Sequence, residues 1–280
     1  MNEIYILGLD GLEFDFVRKW NLKNLKQIEY DRIIVPINKE KGVPMSPQVW
    51  GSFLTGKNEV QDFQYQASPL NILSVFLSYI KKYLKITNFI NIAQKIIPDR
   101  FWTRQVIGFT KLQNKTFLDL TKSKPINVIY YNQDQTGNLL YFYFSIGEIS
   151  LEKTVKLANS LYIKTKKQIL NETKKFLDSY ELIFSYLHFP DLLQHLLMFK
   201  PEEIKNLYLN LDEFVLSLKR LMPDHTLFLI ISDHGFDLKI GYHSNFGFYS
   251  CNKPLIPKPK HITDFFQIIM DKIGEKKNNK

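Results

Sequence analysis

Short runs of β-branched and aromatic residues, separated by segments with helical periodicity, constrain the fold of this chain more than any other feature. Five of these runs have the length and composition of buried parallel strands. They span residues 4–9, 32–37, 126–131, 182–187 and 226–231. A sixth run, residues 139–145, follows a Gly-Asn pair and is interpreted as an edge or hairpin strand.

Amphipathic segments between these runs predict helices. The first spans residues 46–54 and starts at a Ser-Pro pair, because proline is tolerated at the first helical position. The others span residues 150–179, 201–221 and 263–273. Strands that alternate with helices predict a mostly parallel sheet covered by helices on both faces. We therefore expect a single α/β domain over residues 1–280.

The stretch from about residue 64 to 124 does not fit this alternation, because it is helical, basic and aromatic throughout. We interpret residues 64–124 as a small helical cap or insertion packed over one end of the sheet. The alternative is that these residues form two more of the helices that cover the sheet. The sequence alone does not separate the two.

Composition excludes several classes of protein. The chain of 280 residues is 45% hydrophobic and 23% charged, which is typical of a globular domain. Its one cysteine excludes an internal disulfide framework and a cysteine-cluster zinc site. The net charge of +9 attracts anions, but the basic residues are spread along the chain, so a solvated surface is favoured over a nucleic-acid interface.

The sequence also bears on localisation. The N-terminal apolar stretch has no basic residues before it, so no signal peptide is expected. No apolar run reaches the length that spans a bilayer. We expect a soluble, cytoplasmic protein, and the sequence does not indicate its oligomeric state.

Potential metal ligands follow three of the predicted strands. In an open α/β sheet, ligand sites form at the carboxyl ends of the strands, so these side chains are expected to converge. In chain order the candidates are Asp10, Asp191, His195, Asp233, His234 and His243. Carboxylates and imidazoles together suit zinc and related divalent ions.

Each part of this set also has a structural interpretation. Asp10, in an Asp-Gly pair after a strand, is a common turn former. Asp191 and His195 are spaced to share one face of a helix, where they could hold a cation or simply pair with each other. The sequence Asp233-His234 after an apolar strand is harder to explain, because two ionisable groups buried at a strand end are costly without a compensating charge.

Ser46 lies where a loop enters a helix. Its hydroxyl would therefore sit near backbone N–H groups that can hold phosphoryl oxygens. A plain serine N-cap followed by proline is the alternative for this residue taken alone. The three remaining histidines are interpreted as structural, and they are His188, His225 and His261.

Together these segments resemble the alkaline phosphatase superfamily, in particular its branch of type I phosphodiesterases and nucleotide pyrophosphatases. Members have G-x-D-G at the first strand, then a Ser or Thr nucleophile four residues before an aromatic residue and nine before a T-G pair. A D-x-x-x-H, an S-D-H-G and a lone His follow. This chain matches the pattern with Asp10, Ser46, Trp50, Thr55-Gly56, Asp191, His195, Asp233, His234 and His243.

The resemblance implies an alkaline-phosphatase-like fold and two divalent metal ions. Zinc is favoured, and manganese or iron are alternatives. One ion would be held by Asp10, Asp233, His234 and the Ser46 oxygen, the other by Asp191, His195 and His243. Ser46 would be the catalytic nucleophile and would form a phosphoseryl intermediate.

Two departures from the family leave the substrate open. Nucleotide pyrophosphatases have Asn three residues after the nucleophile, where this chain has Val49, and the usual Pro-x-x-His-Gly after the T-G-K is absent. We expect a phosphohydrolase, with a phosphodiesterase favoured, that acts on a small phosphate ester or nucleotide-like substrate. The alternatives are a phosphomonoesterase or phosphotransferase on the same scaffold, or a catalytically idle basic binding module. The complete ligand set argues against the last.

Overall fold

A six-stranded mixed sheet forms the centre of the protein. The computed structural model describes residues 3–59, 112 and 114–278. The strands of this sheet are β1 (Ile4–Leu9), β2 (Glu29–Ile34), β3 (Ser123–Ile126), β4 (Leu182–Leu187), β5 (Leu227–Ser232) and β8 (Phe246–Cys251). Their spatial order is β2-β8-β5-β1-β4-β3, and a separate hairpin is made by β6 (Gly235–Asp237) and β7 (Tyr242–Ser244).

Four neighbouring strands of the sheet are parallel. β1 lies between β4 and β5 and pairs with both in parallel, and β3 pairs in parallel with β4. β8 is antiparallel to β5 on one side and to β2 on the other. The prediction of a mostly parallel sheet is therefore confirmed, while β8, which the sequence analysis did not identify, makes the sheet mixed.

Helices cover both faces of the sheet, as predicted. The helices are α1 (Phe14–Lys19), α2 (Lys23–Lys26), α3 (Ser46–Thr55), α4 (Phe117–Leu120), α5 (Thr136–Ser145), α6 (Leu151–Phe176), α7 (Phe189–Leu197), α8 (Pro201–Lys219) and α9 (Asp264–Asn278). Side chains of α1, α2, α6, α7 and α8 form one buried core with Tyr5 and Leu7 of β1. Side chains of α3, α4 and α9 form the other with Ile4 and Ile6, because successive residues of a strand point to opposite faces.

Three strand predictions need correction. Residues 139–145 are not a strand but lie in α5, whose Leu140 packs into the core, with Asn138, Tyr141 and Phe142 on another face. The strand predicted at 126–131 ends at Ile126, because Asn127 and Tyr130 take positive φ angles of 58° and 69° and turn the chain out of the sheet. The strand predicted at 32–37 begins earlier, at Glu29, which pairs with Cys251 of β8.

The proposed cap at residues 64–124 lies mostly outside the described residues. Within the described part, Phe117 and Leu118 are buried in the core between the sheet and α3. Ser123 then begins β3. The last residues of the stretch therefore belong to the main domain. Among the helices that the structure describes, none combines the length and apolar character needed to cross a membrane.

Candidate metal centre

Three adjacent parallel strands bring the candidate ligands to one edge of the sheet. Asp10 follows β1, and Asp233 and His234 follow its neighbour β5. β4, the neighbour on the other side, leads into α7, which begins near a proline and buries its leucines in the core. Asp191 and His195 are four residues apart on α7, so they project from the same side of the helix.

The first group of side chains surrounds Ser46 at the start of α3, and we call Asp10, Ser46, Asp233 and His234 the serine cluster. The Ser46 hydroxyl donates to Asp10 Oδ1 over 3.3 Å and lies 3.2 Å from His234 Nε2. The same Nε2 lies 3.3 Å from Asp10 Oδ1 and 3.4 Å from Asp233 Oδ2. Asp233 and His234 are fully buried.

The second group consists of Asp191, His195 and His243, which we call the histidine cluster. Asp191 Oδ1 is 3.5 Å from His195 Nε2 and 3.8 Å from His243 Nε2. The two Nε2 atoms are 3.4 Å apart. One carboxylate oxygen and two imidazole nitrogens thus converge, as the ligands of a single cation do.

The two clusters adjoin. The rings of His234 and His243 stack with centroids 3.6 Å apart. Asp191 also offers an oxygen within 4.8 Å of ligand atoms of Asp10 and His234, so it lies between the two clusters. The structure therefore brings all seven predicted site residues together. Their division between two ions remains a prediction.

The residues present fit a divalent cation. His234 Nδ1 lies 3.0 Å from the Gly235 carbonyl oxygen and His243 Nδ1 lies 2.9 Å from that of Pro44, so each Nδ1 carries a proton and each Nε2 faces the centre. Metal-binding histidines are commonly oriented in this way. Asp233 Oδ2 and Asp191 Oδ1 are buried and accept no hydrogen bond from the described residues. A cation would satisfy both oxygens.

The electrostatics of the serine cluster also favour positive charge. Burial opposes ionisation of Asp10, but its hydrogen bond with His234 and the His234 charge outweigh burial and lower the Asp10 pKa to about 2. Burial opposes a charge on His234 as well, yet Asp233 and Asp10 raise the His234 pKa to about 10. Burial, and then the Asp10 charge, raise the pKa of Asp233 well above its ordinary value. The cluster therefore retains a proton at neutral pH, which a divalent cation would replace.

A buried hydrogen-bond network connects the segments that carry the ligands, and the sequence analysis missed it. We call Glu13, Gln194, Tyr208 and Ser244 the Glu13 network. Gln194 of α7 donates to the Gly11 carbonyl over 2.8 Å and accepts from the Tyr208 hydroxyl over 2.8 Å, and the Glu13 N–H donates to that hydroxyl over 2.8 Å.

The Glu13 carboxylate then reaches the hairpin that carries His243. It accepts from the Phe236 N–H over 3.1 Å and from the Ser244 hydroxyl over 2.9 Å. A Cβ at Gly235 would lie 2.1 Å from Glu13 Oε2, so this close approach requires glycine. The one local signal in the sequence is an acidic residue between Leu12 and Phe14, where an apolar side chain would be expected in a buried turn.

A cavity of about 400 Å³ opens beside the two clusters. Its lining includes Asp10, Asp191, His195 and His243 together with residues of α5. His188, which we interpreted as structural, also lines this cavity. Among the described lining residues there is no lysine and no arginine.

Comparisons with known proteins bear on the fold only. No protein-family model and no curated protein sequence matches this chain. In structure, the chain is similar to the PH0037 protein from Pyrococcus horikoshii, with 10% sequence identity, coverage of 98% of each chain and a TM-score of 0.52. At this identity the similarity supports the α/β fold and carries no information on activity.

Proposed function

We propose that this chain is an alkaline-phosphatase-like, metal-dependent phosphoric ester hydrolase that uses Ser46 as its nucleophile. The observation that carries the proposal is the position of the Ser46 hydroxyl, 3.3 Å from Asp10 Oδ1 and 3.2 Å from His234 Nε2, next to a second cluster of carboxylate and imidazole ligands. An ordinary N-cap serine would not be surrounded by buried ionisable groups.

The placement of Ser46 suits attack on phosphorus. It is the first residue of α3, a helix of 10 residues, so the positive end of the helix dipole lies beside its oxygen. This field favours the negative charge of a phosphoryl group. Asp10 accepts a hydrogen bond from the hydroxyl and His234 Nε2 lies 3.2 Å from the same oxygen, so both residues orient it.

Two divalent ions suit the ligands present. Asp10, Asp233, His234 and the Ser46 oxygen would hold one, and Asp191, His195 and His243 the other. Zinc is favoured by this mixture of carboxylate and imidazole, and manganese and iron are the alternatives. When bound, such ions activate the hydroxyl and neutralise charge on the phosphoryl oxygens during an in-line displacement.

The reaction that we propose has two displacements. In the first, the Ser46 oxygen bonds to phosphorus, and the bond from phosphorus to the departing alcohol breaks with transfer of a proton to that alcohol. In the second, water bonds to phosphorus and the bond to Ser46 breaks, which restores the serine. A second alcohol in place of water would give a phosphotransfer product.

The charge of the cavity favours a diester over a monoester. A monoester carries one more negative charge than a diester, and that charge needs additional donors. The described residues of the cavity provide neither lysine nor arginine to pair with it. A diester is therefore the proposed substrate.

Hydrolysis of model esters tests this proposal. The protein would be stripped with a chelator, reloaded separately with Zn²⁺, Mn²⁺ or Fe²⁺, and assayed on bis(p-nitrophenyl) phosphate and p-nitrophenyl phosphate. We expect metal-dependent hydrolysis, faster on the diester, that Ser46→Ala abolishes. The exposed Ser217 provides the matched control, and Ser217→Ala should retain full activity. Absence of hydrolysis with every metal would overturn the proposal.

A further inference from the structure

We propose that the cavity beside the metal centre binds an uncharged, hydroxyl-bearing alcohol, which is one of the two groups esterified to the phosphorus. The inference rests on the proposed function and specifies its substrate. Its basis is the set of polar residues that line the cavity together with the candidate metal ligands, namely Asn138, Tyr141, Ser145, His188 and Tyr242.

The first observation concerns position. The cavity is bordered by Asp10 from the serine cluster and by Asp191, His195 and His243 from the histidine cluster. A phosphoryl group held between these clusters would therefore have one ester substituent next to the cavity. Two other cavities of the described residues are lined by neither cluster.

The second observation concerns α5. Its residues Asn138, Tyr141, Phe142 and Ser145 line the cavity with the spacing of a single helical face. A helix face that only packs on a core would be apolar, whereas this one combines an amide and hydroxyls with two aromatic rings. Such mixed lining is typical of sites for small molecules that have both apolar and polar parts.

The third observation concerns His188, which follows β4. It is 5% exposed, and neither ring nitrogen has a hydrogen-bond partner among the described residues. Buried polar atoms are rarely left without a partner, and both nitrogens are covered by protein, so the ring gains a partner when it turns towards a ligand in the cavity that it lines. Burial lowers the pKa of His188 to about 4, so the imidazole is neutral and offers one donor and one acceptor. A hydroxyl group, which donates and accepts, matches it.

The contact between His188 and α5 is built around a glycine. A Cβ at position 137 would lie 2.2 Å from His188 Nε2, so any other residue there would displace the imidazole. Gly137 therefore allows the start of α5 to approach the imidazole closely. This contact holds the cavity-lining face of α5 next to His188.

The fourth observation concerns two tyrosines at the mouth of the cavity. Tyr141 of α5 and Tyr242 of β7 each lie with their ring centroids 6.1 Å from the ring of His195, and each is 41% exposed. Tyrosines in such a position pack a ring against carbon and leave the hydroxyl for a polar partner. A polyol or a sugar provides both, because its carbon atoms can pack on the rings and its hydroxyls can bond to the tyrosine hydroxyls.

Charge excludes an acidic substituent. The described lining contains no lysine or arginine to pair with a second phosphate or a carboxylate, so an acidic substituent would be buried there without a counter-charge. This holds although the chain as a whole has a net charge of +9. The group that occupies the cavity is therefore uncharged.

A series of p-nitrophenyl phosphodiesters, assayed on the metal-loaded protein, tests the inference. The second ester group would be 2,3-dihydroxypropyl, a glucosyl group linked through its primary hydroxyl, propyl or 2-carboxyethyl. We expect kcat/KM for the hydroxylated groups to exceed that for propyl by roughly 10- to 100-fold. The reason is that the imidazole of His188 would have no hydrogen-bond partner in a complex with a substrate that lacks hydroxyls. The 2-carboxyethyl ester should be the poorest. The dihydroxypropyl and glucosyl arms separate a glycerol source from a sugar source.

Variants of His188 connect this preference to the cavity. His188→Leu should reduce the dihydroxypropyl-to-propyl ratio to near one, and His188→Gln, which keeps a polar group near the Nε2 position, should restore part of it. Binding provides a second measurement that needs no turnover. The imidazole ¹⁵N signals of His188, identified by their loss in His188→Leu, should shift when 2,3-dihydroxypropyl methylphosphonate is added and remain unchanged with propyl methylphosphonate.

The outcomes distinguish this inference from the proposed function. Hydrolysis of all the diesters without preference for hydroxyls, or with preference for the carboxylate ester, would overturn the inference and leave the hydrolase proposal intact. Shifted His188 signals without hydrolysis of any ester would support the cavity assignment and overturn the hydrolase proposal. Absence of both would overturn both.

Discussion

His234 and His243 stack face to face, with ring centroids 3.6 Å apart and planes inclined by 14°. One residue follows β5 and the other lies in β7, so the hairpin folds back over the end of the central sheet. Each ring presents Nε2 to a different cluster, His234 to Asp10 and His243 to Asp191. This stack places the two clusters side by side, as a two-metal site requires.

We expect about two divalent ions per chain in the protein purified without chelator, because the ligands are too many for one site. His195→Ala should lower the content to about one ion, since His195 belongs to the histidine cluster alone. Asp10→Ala should also remove one ion, from the serine cluster. Elemental analysis with calorimetric titration measures both losses.

The exposed His225 provides the control for these variants, and His225→Ala should keep the full metal content. Asp191→Ala is expected to affect both sites, because Asp191 lies within 4.8 Å of ligands from each cluster. Saturation of the unaltered protein at one ion would show that the two-site division is wrong.

Ser46→Ala should lower kcat by roughly a thousandfold or more, because the variant lacks the oxygen that we propose as both nucleophile and metal ligand. Ser46→Thr keeps the hydroxyl and should retain measurable activity. Acid quench during turnover should leave phosphate on the peptide that contains Ser46, which mass spectrometry identifies. Phosphate on a different peptide, or near-normal turnover of Ser46→Ala, would show that Ser46 is not the nucleophile. Direct attack by water would then be the mechanism, and the metal assignment would be unaffected.

The central strands of the sheet could be predicted from the sequence, and the strands towards its edges could not. Residues 4–9 and 182–187 form strands with the predicted bounds, because both strands are buried on both faces and contain almost no polar residues. The helix α5 was mistaken for a strand since its aromatic residues suit either structure, and a face directed at a cavity has no apolar periodicity to identify it. The local sequence does not indicate whether a segment lines a cavity.

The convergence of the candidate ligands could be predicted because they follow neighbouring strands, whose order the α/β pattern restricts. The residues that hold these ligands in place could not. Glu13 bonds to the hydroxyl of Tyr208 across 195 residues of sequence, and to Ser244 across 231. Such contacts depend on how α8 and the hairpin pack on the sheet, which no local pattern reports.

Glu13→Ala should weaken metal binding at the histidine cluster by roughly 10- to 100-fold, although Glu13 touches none of the proposed ligands. Its carboxylate holds Phe236 and Ser244, and Ser244 is the neighbour of His243. The variant should also lose about 1–3 kcal/mol of unfolding free energy, because the Phe236 N–H and the Ser244 hydroxyl lose their acceptor. Calorimetric titration with Zn²⁺ below the unfolding transition separates the two effects.

Glu202, in the exposed first turn of α8, provides the matched control for Glu13. Glu202→Ala should leave both metal affinity and stability unchanged. A Glu13→Ala protein that is less stable but binds Zn²⁺ with unchanged affinity would show that the Glu13 network supports the fold without positioning the ligands.

His188 should make the metal-free protein less stable in mild acid. Burial lowers its pKa to about 4 in the folded state, against an ordinary value of 6.5 that the unfolded chain retains. Between these values the unfolded chain binds a proton that the folded protein does not, so stability falls as the pH falls from 6.5 towards 4. From about pH 7 to pH 5 this contribution amounts to about 2 kcal/mol.

Other groups also titrate in this range, so the comparison with His188→Leu isolates the contribution. Denaturant unfolding at both pH values should show a smaller loss of stability for the variant, by about the same 2 kcal/mol, because Leu takes up no proton in either state. An equal loss in the two proteins would show that the pKa of His188 in the folded state does not lie below that in the unfolded chain.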